Sequence, residues 1–164
     1  MIIQCQPYKR DPVYTNEIMA HVNSYTSASG VVSASSEWIV FTIVHRAYDA
    51  VDYMDNSMWF VQNIGDSGWI KYVFGETKQI VRYAIKADNT GNYASTAQAW
   101  VLEGSNDGAV WDVIDEQSGV SWSSDETKTY DIPESGYSQF RFSVDAIAGT
   151  RVGICDIFLY TVEQ

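Results

Sequence analysis

The sequence predicts an all-β fold, an antiparallel β-sandwich of the jelly-roll type. Three observations carry that prediction. Apolar residues alternate with polar ones over strand-length runs. Turn residues punctuate those runs at short intervals. No convincing long helix and no internal repeat accompany them. Strict period two with β-branched and aromatic residues marks strands half buried in a sheet. Many short strands closed by tight turns mark a sandwich or jelly roll.

Residues 1 to 27 read as a separate N-terminal arm, and residues 28 to 164 as the jelly roll. The arm shows little alternation and carries Pro7 and Pro12; Asn16 to Asn23 is expected to be a short helix. In the main body, Trp69 to Phe74 puts Ile70, Tyr72 and Phe74 on one face. Gln79 to Ala87 puts Val81, Tyr83, Ile85 and Ala87 on one face, with Arg82 and Lys86 opposite. Trp100, Leu102 and Gly104 share a face before the turn Asn106-Asp107-Gly108, whose residues tolerate positive φ and allow a tight reversal. Trp111 opens the next strand, and both tryptophans are expected to be core pieces flanking a turn. Phe140, Phe142 and Val144 alternate with Arg141 and Ser143, and Gly153 to Tyr160 forms a final apolar strand.

The chain has 164 residues, enough for one domain with a sizeable core. Its formal net charge is −11. That charge opposes nucleic acid and anionic lipid as partners, because phosphate binding needs clustered Lys and Arg, and neither nucleic-acid binding nor membrane insertion is expected. No apolar run is long enough to span a membrane as a helix. The start, Met1 to Gln6, has no basic region followed by an apolar stretch, so no export signal is expected. Cys5 and Cys155 have no metal-ligand spacing. Two incidental thiols are the first reading; an end-to-end disulfide requires the two segments to lie side by side.

An ordered set of fragments resembles a known family. They are Ser33-Ala-Ser-Ser36, Ala47-Tyr-Asp49, Trp59, Gly68-Trp-Ile-Lys-Tyr-Val-Phe-Gly75 and Ile80-Val-Arg-Tyr-Ala-Ile85. Trp100-Val-Leu-Glu-Gly-Ser-Asn-Asp-Gly108 with Trp111, Tyr137-Ser-Gln-Phe-Arg-Phe142 and Gly153-Ile-Cys-Asp-Ile-Phe-Leu-Tyr160 follow. Together they resemble the coagulation factor 5/8 type C, or discoidin-like, domain over about residues 30 to 161. Family 32 carbohydrate-binding modules share its galactose-binding-like jelly roll. The resemblance implies a non-catalytic carbohydrate-binding module. It also implies a structural calcium ion held by Asp49 in the loop after the first strand and by Asp156 in the last strand, with Asp52 and Asp55 as nearby donors. Ala50 stands where the family's loop has glycine, and Asp156 where it commonly has glutamate.

A sugar site needs an aromatic face for the ring's C–H patches and planar polar groups for adjacent hydroxyls. Three loops offer those types. The stacking side chain is expected to be Trp38 or Tyr93, with His45, Asn89, Asn92 and Arg151 as polar contacts. Trp122, in a serine-rich loop, is a second platform. No nucleophile elbow, zincin, phosphate-loop or dinucleotide motif is present, so no enzymatic activity is expected. With no export signal, the expected setting is a phage particle, on a tail fibre or as head decoration at the virion surface, or otherwise outside the cell. Residues 1 to 27 would dock to other virion proteins, and many copies would hold glycans weakly. The alternative is a structural adaptor with no sugar site.

Overall fold

Two long strands organise the structure, a computed structural model that describes residues 14–15, 26, 30–40, 43–45, 58–89, 91 and 93–162. β6 runs Gly68–Lys86 and β9 runs Thr127–Val144, and they pair antiparallel along almost their whole length. Register shifts between Val73 and Lys78 and between Ile80 and Arg82 break the ladder, and each such irregularity bends the strands. The halves on either side of the bend face each other. Tyr83, in the second half of β6, packs 5.4 Å from Phe142 in the other half of β9. Trp100, which pairs with Val144, meets Tyr130 at 5.5 Å.

The remaining strands add to these halves. β2 (Gly30–Ala34) pairs with the first half of β6, and β11 (Asp156–Val162) with the second. β7 (Trp100–Ser105) pairs with β9, and β8 (Asp112–Gln117) lies outside β7. β1 (Tyr14–Thr15) pairs with the end of β11, Tyr14 opposite Val162. The remainder of residues 1–27, apart from Thr26, lies outside the described residues, as does the helix expected over 16–23. Two small ladders complete the described set: β3 (Trp38–Val40) with β4 (Ile43–His45), and β5 (Trp59–Phe60) with β10 (Gly153–Ile154). The fold is the all-β antiparallel sandwich that the alternation predicts.

The core follows the period-two pattern with two corrections. Ile70, Tyr72, Phe74, Phe140, Phe142 and Val144 are buried as expected, as are Tyr83, Ile85 and Ala87. Val81 is only half buried, and Ile80 takes the interior place, because the irregularity between Ile80 and Arg82 changes the phase of alternation. Trp100 is buried, but Trp111 is not a core residue. It lies half exposed with the Arg141 guanidinium 4.1 Å above its ring, and its indole N–H donates to the Gly108 carbonyl at 3.2 Å. The turn itself forms as read: Gly108 has φ +73°, and Asp107 Oδ1 accepts from the backbone N–H groups of Ala109 and Val110 at 2.8 and 2.9 Å.

Candidate functional site

The candidate site sits where loop 61–67, after β5, runs beside loop 145–152, before β10. Backbone hydrogen bonds tie the two together: Val61 N donates to Val152 O at 3.1 Å, and Gly65 N to Thr150 O at 3.0 Å. Gly65 and Gly149 have φ of +79° and +77°, a region open to glycine at little cost, so both loops can turn this sharply. The short ladder of β5 with β10 sets the depth of the site, since it fixes Phe60 opposite Gly153.

Trp38 is brought to the same place by the serines before it. Ser35 exchanges backbone and hydroxyl hydrogen bonds with Trp69, and Ser36 O accepts from the Trp59 indole at 2.8 Å. Ser36 Oγ also accepts from Gln62 N at 3.2 Å. The chain therefore enters β3 pinned against β5 and loop 61–67. Trp38 meets Phe60 edge-on, at 5.9 Å between ring centroids and 85° between planes. On the indole lies the Arg151 guanidinium, with Cζ 4.4 Å from the ring centroid. That is a cation–π stack within the favourable range. Arg151 Nε donates to Gln62 O at 3.0 Å, which fixes the guanidinium plane.

These residues line a small open hollow of about 150 Å³, together with Ile64, Ser95, Gly149 and Thr150. Ser95 Oγ and Thr150 Oγ1 lie 3.0 Å apart. The hollow is smaller than the clefts of roughly 300–1,000 Å³ that engulf drug-sized molecules, and it matches one ring or the edge of one. Its composition is an aromatic and aliphatic wall, two hydroxyls and one cation. Among the described residues, its lining contains no carboxylate, histidine or thiol.

Of the residues expected from the sequence, Trp38 and Arg151 come into direct contact. Tyr93 is exposed on the 3-10 turn Tyr93–Ser95, whose other end supplies Ser95 to the hollow. Asn89 is exposed just past the end of β6 and does not line the hollow. His45 lies opposite Trp38 in the β3–β4 ladder. Asn92 and Asp49 lie outside the described residues, as do Asp52 and Asp55. Asp156 is buried at the start of β11, with Oδ2 3.8 Å from Cys155 Sγ. Burial, and then the neighbouring carboxylates Asp156 and Asp88, push the Cys155 thiol well above its ordinary pKa, which disfavours the thiolate. Among the described residues, no group of three or more His, Cys, Asp or Glu side chains is placed to hold a metal ion.

Trp122 is not a free platform. Its indole N–H donates to Ala97 O at 2.8 Å, and it packs on Trp100 with ring centroids 6.3 Å apart. Phe60, Ile64 and Ser95 were not legible as site residues. Ile64 alone had a signal, an apolar side chain inside the polar turn Gln62-Asn-Ile-Gly-Asp66, and it is 58% exposed.

No protein-family model matches the chain, and no curated protein does. Solved structures match it closely in shape. A family 32 carbohydrate-binding module from Clostridium perfringens, in complex with GalNAc-β-1,3-galactose, superposes with a TM-score of 0.69 at 17% identity, covering 80% of this chain and 95% of that one. The family 32 module of NanJ from the same organism, in complex with galactose, gives 0.66 at 18%, covering 80% and 93%. Chitosan-binding module 2 from a Paenibacillus sp. IK-5 chitosanase/glucanase, in complex with chitotriose, gives 0.65 at 16%, covering 81% and 97%. The fold is thus the galactose-binding-like β-sandwich of discoidin type, shared with modules of this kind.

Proposed function

We propose that the domain is a non-catalytic carbohydrate-binding module whose ligand enters the hollow at Trp38 and Arg151. The observation that carries the reading is the hollow's composition: aromatic Trp38 and Phe60 and aliphatic Ile64 beside the Ser95 and Thr150 hydroxyls and the Arg151 guanidinium. Sugar rings present apolar C–H patches next to hydroxyl pairs, and this wall offers a counterpart to each. The neighbours in shape add support, since their complexes contain galactose, GalNAc-galactose and chitotriose. The test is a broad glycan array read with the wild-type domain and with Trp38→Ala. Specific binding that disappears in the variant, with its melting transition retained, is the expected result. No binding by a cooperatively folded wild type would overturn the reading.

Calcium belongs to the same experiment. Asp156 is a buried oxygen donor at the start of β11, and Asp88 is a second buried carboxylate. Hard cations take six to eight oxygens from such side chains and neighbouring carbonyls. Our reading is that Asp156, with Asp49, would hold a calcium ion of structural value, and a chelator would then lower the melting temperature.

A structural adaptor role has one observation in its favour. Val110 and Val113 are 67% and 65% exposed beside Trp111, at the outer strand β8. Substituting both valines by serine tests it: loss of an assembly, in a protein whose wild type binds no glycan, supports the adaptor. Display on a phage particle, with residues 1 to 27 docking, is tested by whether antibodies to the domain decorate virions.

A further inference from the structure

The arginines of this acidic protein are not equivalent. Arg82 pairs with Asp131 at 2.6 Å, and Arg141 pairs with Glu103 through two hydrogen bonds of 2.8 Å. Arg151 makes no ion pair among the described residues, although the chain carries a formal charge of −11. Instead, a carbonyl and an indole position it. Its Nε is taken by Gln62 O, and its plane lies on Trp38. A guanidinium has five N–H donors in a rigid fork, and among the described residues the terminal Nη pair has no hydrogen-bond partner. That fork matches a carboxylate in a bidentate fashion, and charge-assisted bonds of this kind are about twice as strong as neutral ones. The lining contains no acidic side chain among the described residues to compete for it.

We infer that the hollow selects a saccharide bearing a carboxylate, a uronate- or sialate-type residue, with the carboxylate on Arg151. The ring hydroxyls would then meet Ser95 and Thr150, and its apolar face would meet the Phe60 and Ile64 side of the hollow. This inference rests on the carbohydrate reading above and adds the charge of the ligand. Arg151 is pre-oriented, so little ordering is lost when the carboxylate arrives. The stack also occupies one face of Trp38, so that face supports the arginine while the rest of the indole still lines the hollow.

The test uses uronate and sialate oligosaccharides, each paired with its methyl ester, which keeps the sugar and removes the charge. Titration calorimetry of the wild-type chain is expected to show an acid bound at least about tenfold more tightly than its ester, the size of one charge-assisted contact. Arg151→Gln is expected to abolish that preference, and Arg151→Lys to retain only part of it, because the ammonium lacks the fork. Equal binding of acid and ester, or tighter binding of the ester, overturns the inference while leaving carbohydrate binding in place. Binding of no saccharide at all overturns both. The acid–ester comparison needs only the wild-type protein, so it stands even if a variant fails to fold.

Discussion

The indole N–H of Trp100 donates to the hydroxyl of Tyr83 at 2.9 Å, and that hydroxyl donates in turn to Asp115 Oδ2 at 2.6 Å. The relay joins β7, β6 and β8 through the interior. Burial first, and then the bond to Asp115, holds the Tyr83 hydroxyl far above the usual phenol range, so it stays a donor. Tyr83→Phe keeps the ring and leaves the Trp100 N–H buried without its acceptor. The expected loss is about 1–3 kcal/mol, read as a lower urea midpoint at unchanged slope.

Glycines at close approaches differ by what stands in the way. A Cβ on Gly153 would lie 2.3 Å from the Trp59 carbonyl oxygen, which is backbone and cannot rotate aside. A Cβ on Gly104 would lie 2.1 Å from the Tyr137 ring, a half-exposed side chain that can swing outward after losing its bond to Asp112. Gly104→Ala is expected to cost about 1–3 kcal/mol. Gly153→Ala should cost more and also weaken ligand binding, because it parts β10 from the strand that carries Phe60. Thermal melts of both variants, with titration of Gly153→Ala, check the order.

Glu103 accepts from Arg141 twice and from Ser143 once, and the Arg141 hydrogen bonds hold its carboxyl below the ordinary range. A depressed folded pKa contributes stability above the unfolded value, lost as pH falls through the folded one. Glu103→Gln is therefore expected to cost about 1–2 kcal/mol near neutral pH. The gap between the two proteins should shrink in acid. Chemical denaturation of both across the acid range measures it.

Gly149 has φ +77° with nothing within 4 Å of an added Cβ, so alanine meets strain and no clash. The strain is expected to be about 1 kcal/mol. Because Thr150 and Arg151 follow directly, Gly149→Ala should weaken ligand binding more than it lowers the melting temperature. Titration beside calorimetric melting separates the two effects.

The strand faces were legible where alternation ran unbroken, as at Ile70-Tyr72-Phe74 and Phe140-Phe142-Val144. Legibility failed at the irregularity after Ile80, because nothing in Gln79-Ile-Val-Arg82 announces a change of phase. It failed at Trp111 because a tryptophan covered by arginine has the same composition as one in a core. Trp38 and Arg151 were named from residue type and loop position. Their stacking was not foreseeable, since it depends on Ser35, Ser36 and Gln62 binding across the chain. Phe60 and Ser95 were missed for the same reason: pairing of β5 with β10, and of Thr96 with Gly153, places them, and no local pattern encodes it.

β6 and β9, strands of 19 and 18 residues, each contribute to both faces of the sandwich. Neither face can therefore open as an independent unit, since separating one pulls the same two strands out of the other. Amide exchange in the two halves of β6 should share a single global opening. The rim of the hollow is different: its loops turn at Gly65 and Gly149, above a β5–β10 ladder whose Trp59 and Ile154 belong to the shared core. Its loops are free to vary in sequence, and so in specificity, with little penalty to the scaffold that carries them.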